Sequence, residues 1–104
     1  MSQDYKADIQ KYSPNVNDAA VTSIVKYCGI ALRSTDASLV SSSDKSELDR
    51  VRDGFAKKKL GLEPAAAEAG IKKVVEQMKA ERRKSRVTFY YLLAEATGTM
   101  NKLS

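Results

Sequence analysis

The sequence predicts an all-α protein, a compact single-domain bundle of about five helices with a central apolar C-terminal helix. Three observations carry that expectation. Apolar residues recur every three or four positions through most of the chain, a helical period rather than a strand's period of two. Residues suited to start and stop helices stand at the ends of those periodic stretches. One run, Phe89 to Ala94, is apolar or aromatic nearly all the way round and therefore needs neighbours on every side.

Taken in order, Tyr5, Ile9 and Tyr12 mark a short first helix that Ser13 and Pro14 close. Val21, Ile24, Val25, Cys28, Ala31 and Leu32 define a second. Asn17 is placed to cap it, and Asp18 meets the positive end of its dipole. From Ser34 to Ser43 the serines, threonine and aspartate compete with helical hydrogen bonding, which predicts a connector held to the core by Leu39 and Val40. A third helix is expected to begin at Ser42 or Ser43 and to run through Leu48, Val51 and Phe55 to Leu60, where Gly61 stops it. Its outer face is expected to pair Glu47 with Arg50, Asp49 with Arg52 and Asp53 with Lys57. Gly54 interrupts that helix and predicts a close crossing or a bend.

Pro64 suits the first position of a fourth helix, whose apolar stripe is Ile71, Val74, Val75 and Met78 and whose weak point is Gly70. The fifth helix is expected from about Ser85 to Thr97, with Gly98 as its stop. Its Val, Thr, Phe and Tyr also favour strands, but no second strand is available to pair with that run. One domain should span residues 1–104, with residues 1–4 and 99–104 frayed.

A chain of 104 residues can bury a single core without staples. Cys28 is the sole cysteine, so no internal disulfide can form and a reducing, cytoplasmic setting is expected. No export signal and no membrane-spanning run are expected, because the longest apolar run falls well short of the ~20 residues a bilayer crossing needs. Net charge is +5, and residues 57–86 hold ten Lys or Arg against four Glu, a local +6 that leaves −1 for the rest. The basic excess belongs to one segment.

With the third and fifth helices in view, the stretch from Asp36 through Asp44, Glu47-Leu48 and Val51-Arg52, then Phe55, Lys58 to Leu62, and later Tyr90 to Leu93, resembles a family of small uncharacterised bacterial proteins described only as a domain of unknown function. The resemblance covers about residues 20 to 95. It implies a cytoplasmic, wholly helical protein of about this length with no assigned activity, cofactor or catalytic residue. No functional residue can be carried over from it. Met78 to Arg86 resembles the family's pattern least, and the resemblance therefore implies a basic cluster particular to this chain.

The residues themselves point to no catalytic machinery. Cys28 lies on an apolar helix face, and there is no His to activate it or to complete a zinc site, so a structural thiol is expected, with no metal or cofactor. The acidic residues of the third helix alternate with basic ones and read as a solvated face. The glycines stand singly and form no phosphate-cradling loop. The five tyrosines are expected in the core or at its rim, with hydroxyls reaching water. The expected function is that of a small non-catalytic cytoplasmic interaction or accessory protein with a protein partner as yet unknown. The alternative is a weak nucleic-acid or polyanion-binding module using Lys57, Lys58, Lys59, Lys72, Lys73, Arg82, Arg83, Lys84 and Arg86 as phosphate contacts.

Overall fold

The core is built around the last long helix. In this computed structural model, residues 5–29, 39–40, 44–80 and 84–103 are described. Helices α1 (Tyr5–Gln10), α2 (Asp18–Cys28), α3 (Lys45–Val51) and α4 (Pro64–Gln77) pack around α5 (Arg86–Thr97), and α3 continues as a π-helical segment, Arg52–Lys59. Every residue of α5 from Val87 to Ala94 is buried. Removing each of its large side chains from water is worth about 1.5–3 kcal/mol, which is why the least amphipathic helix takes the centre.

The caps follow local chemistry. The Asn17 side chain accepts from the Ala20 amide at 3.2 Å and starts α2. Asp44 rather than a serine caps α3, accepting from the Ser46 amide at 2.9 Å; Ser42 and Ser43 lie outside the described residues. Pro64 opens α4, and Gly98 closes α5 in the left-handed region at φ +70°.

The third helix departs from expectation in register. Val51, Phe55 and Leu60 are all buried, and the five-residue gap from Phe55 to Leu60 is one longer than an α-turn keeps on a single face. A π-turn absorbs it, with the Leu60 amide donating to the Phe55 carbonyl at 3.1 Å. Gly54, expected at a close crossing or a bend, lies within the π-helical segment and not at a close crossing: an added Cβ would meet only the Tyr27 hydroxyl, at 3.9 Å. The close crossing is at Gly70 instead, where a Cβ would stand 2.5 Å from Thr97 Cγ2 and 2.8 Å from Leu93 Cδ1. Among the described residues, α4 and α5 accordingly share the most extensive helix contact.

Two further features concern the edges. A two-residue antiparallel ladder joins β1 (Leu39–Val40) to β2 (Lys84–Ser85), so the connector is tied down by backbone hydrogen bonds as well as by buried Val40. Beyond Gly98, a 3₁₀ turn over Met100–Lys102 returns Leu103 into the core. Residues 1–4 and 104 lie outside the described residues. At the other pole, polar tethers fix α1 and the turn after it to α5. Thr88 Oγ1 donates to the Asp8 carboxylate, Ser13 Oγ donates to Glu95 Oε2 at 2.6 Å, and the Asn17 amide donates to Tyr91 Oη at 2.8 Å.

Candidate functional site

The segment with the richest surface chemistry is the hairpin made by α3, its π-helical extension and α4. Asp44 sets the start of α3, so Lys45, Leu48, Asp49 and Arg52 fall on one face at helical spacing. Leu60 and Pro64 bracket the turn that lays α4 back alongside. Ala65, Glu68, Ala69 and Lys72 then face the α3 residues, and the alanines are too small to fill the gap. The result is a cleft of about 440 Å³ whose floor includes Leu48, Ala65, Ala69 and Ile71 and whose walls are Lys45, Asp49, Arg52, Glu68 and Lys72. That volume lies within the ~300–1,000 Å³ range typical of binding clefts.

Arg52 organises the walls. Its Nε and Nη2 donate to both Asp53 oxygens at 2.9 and 3.0 Å, while Nη1 reaches Glu68 Oε1 at 3.1 Å and Asp49 Oδ1 at 3.3 Å. The bidentate bond to Asp53 holds the guanidinium above its ordinary pKa and holds the Asp53 carboxyl below its own. Lys45 approaches Asp49 at 3.4 Å. Both acidic wall residues are therefore neutralised by cations of the cleft itself. The expected Glu47–Arg50 and Asp49–Arg52 contacts are present, at 3.9 and 3.3 Å, but Asp53 pairs with Arg52 rather than with Lys57.

A second cluster lies inside the bundle. Arg86, with a side chain only 14% exposed, is ion-paired to Glu47 and donates to Tyr90 Oη at 2.8 Å and to the Leu39 carbonyl at 3.2 Å. Its guanidinium lies 5.6 Å from the centre of the Tyr90 ring, on which Phe55 stacks at 4.0 Å. Tyr27, 42% exposed, meets both rings edge-on. Burial opposes the Arg86 charge, and Tyr90 and Glu47 more than offset it. Burial also pushes the Cys28 thiol up to about 11, with nearby Arg86 pulling it partly back. The cluster ties α3, β1 and α5 together through the bonds of Arg86 to Glu47, Leu39 and Tyr90.

The basic residues singled out from the sequence do not converge. Lys72 lines the cleft, at the end of the hairpin that carries Lys45. Lys57 and Lys58 are exposed, and half-buried Lys59 follows them, at the opposite end near the turn into α4; Lys73 is exposed beside Lys72. Lys84 is 7% exposed and sits in the β ladder, and Arg86 belongs to the interior cluster. Arg82 and Arg83 lie outside the described residues. The hydroxyls of Tyr90 and Tyr91, expected to reach water, bond instead to Arg86, Asn17 and Asn15. Among the described residues no group of three or more His, Cys, Asp or Glu is placed to hold a metal ion, and no helix is long and apolar enough to cross a membrane.

A family model described as a protein of unknown function, DUF2853, matches residues 4–101. The chain belongs to the DUF2853 family. No curated protein matches the chain. Family membership thus agrees with the resemblance read from Asp36 to Arg52 and assigns this DUF2853 member no site. The cleft was not legible in the sequence as a site, because its walls read there as a solvated ion-paired face. The signal that marks it is the pair of alanines, Ala65 and Ala69, one helical turn apart and opposite Leu48.

Proposed function

We propose that this DUF2853 member is a small non-catalytic cytoplasmic protein that acts by binding a protein partner in the cleft between α3 and α4. The observation that carries this reading is the cleft itself, an apolar floor open to solvent inside a rim of charge. Its lack of catalytic chemistry is supported by the state of the groups best suited to reaction. The Cys28 thiol is held protonated at neutral pH, and Arg86, Glu47 and Tyr90 are engaged with one another. A lone cysteine fits a reducing compartment.

The test is affinity capture with the full chain from its native cytoplasm, comparing the parent with Ala69→Arg. Ala69 is exposed on the cleft, so the substitution fills the site without entering the core. A partner that co-purifies with the parent and with a Lys26→Ala control on α2, but not with Ala69→Arg, is the expected result. Capture indifferent to Ala69→Arg would overturn the reading.

A second reading, polyanion binding, is favoured by one observation: Lys57, Lys58, Lys72 and Lys73 are exposed and make no ion pair among the described residues. It demands that affinity for mixed RNA or DNA fall steeply between about 50 and 200 mM salt. Loss of Lys84 and Arg86 to the interior leaves it fewer contacts than the sequence offered.

A further inference from the structure

We infer that the cleft selects an acidic amphipathic peptide segment, one that sets apolar side chains on the floor and carboxylates against the lysines of the rim. The inference rests on the cleft being the binding site and adds the chemistry of its partner. Charge placement carries it. Asp49 is shared between Lys45 and Arg52, and Glu68 gives one oxygen, Oε1, to Arg52, so both carboxylates already have a cation of the cleft beside them. Arg52 is itself engaged by three carboxylates, with Asp53 bound to its Nε and Nη2. With Lys45 spent on Asp49 at 3.4 Å, the cation of the lining left without an ion pair among the described residues is Lys72. Lys73, exposed one residue on, adds to the same end.

A partner presenting lysine or arginine would meet that uncompensated charge. A partner presenting Glu or Asp would complete it. The floor supplies the other half of the recognition. Ala65 and Ala69 stand one turn apart on α4 and leave room between Leu48 and Ile71 for apolar side chains that recur at helical spacing. A wholly hydrophilic anion would gain nothing from that surface.

The experiment uses the full chain, isotope-labelled for NMR, and two synthetic 12-residue peptides with leucines at the same helical positions, one filled with Glu and the other with Lys. The Glu peptide is expected to shift the amide signals of Leu48, Ala65, Ala69 and Lys72 and to bind roughly three- to tenfold more tightly than the Lys peptide. Lys72→Glu should reverse that preference, and Ala69→Arg should abolish both interactions. Both positions are exposed, and an unchanged thermal melt confirms that each variant is folded. Equal binding of the two peptides would overturn the inference, as would shifts confined to Lys57 and Lys58, which mark diffuse charge attraction. A parent chain whose mass doubles in sedimentation without peptide, and halves again with Ala69→Arg, would overturn it in favour of a second copy as the occupant. If neither peptide perturbs the cleft while partner capture still depends on Ala69, the acidic chemistry fails and the cleft as binding site stands. If capture is indifferent to Ala69, the binding site itself fails.

Discussion

Cys28 and Tyr90 are acids whose neutral forms the fold prefers, and the cause is chiefly burial in both. The thiol moves from an ordinary value of 9.0 up to about 11, and the Tyr90 phenol rises from 10.0. For such groups the folded pKa lies above the unfolded one. Their stabilising contribution is complete below the unfolded value and is lost as pH rises through the folded value, because the unfolded chain gives up its protons first. Urea unfolding midpoints should therefore hold steady near neutrality and fall from about pH 9 upward, with Cys28→Ala flattening the part of the fall between pH 9 and 11. A parent whose midpoint does not move over that window would show the thiol to be hydrated. The position of Cys28 on an apolar face was legible from its helical spacing between Ile24 and Leu32. The environment of Arg86 was not, since its partners Glu47 and Leu39 are 39 and 47 residues distant in the chain and no local spacing encodes them.

At the scale of helices, two glycines with opposite surroundings give opposite predictions. At Gly70 an added methyl collides with Thr97 and Leu93 on α5, so Gly70→Ala must push α4 and α5 apart. It is expected to cost about 1–3 kcal/mol in chemical denaturation. At Gly54 the backbone φ is not positive and the nearest atom is an ordinary contact away. Gly54→Ala should stabilise by about 0.4–1 kcal/mol, through the entropy the unfolded chain no longer has to lose. Equal effects at the two positions would contradict the crossing geometry. The sequence marks both glycines as interruptions, but which of them faces another helix depends on how α3 and α4 roll against α5, and that is set by tertiary packing. The π-turn was missed for a related reason. Val51, Phe55 and Leu60 fit an approximate α-period well enough to be accepted, and only the five-residue step after Phe55 marks the change of register. Element identity, caps and stops were legible because they depend on neighbours in sequence.

Over the whole molecule, placing the apolar helix at the centre followed from composition, since nothing else could cover Val87 to Ala94. The same arrangement predicts uneven stability. α5 touches most other elements, so its amides open only when everything else has. α1 is six residues long, contributes one fully buried apolar side chain, Ile9, and leans on α5 through the polar contacts of Asp8 and Ser13. An isolated helix of that length has no stability of its own, so those contacts and Ile9 hold it in place. Native-state hydrogen exchange should find the α5 amides exchanging only through global unfolding and the α1 amides through a smaller, local opening. Ser13→Ala removes the bond to Glu95 and should lower the α1 opening energy by about 1 kcal/mol while leaving the α5 amides within a few tenths of their parent values. If Ser13→Ala lowers the protection of α1 and α5 by the same amount, α1 is part of the global cooperative unit, and the bundle unfolds as one body rather than from its N-terminal edge.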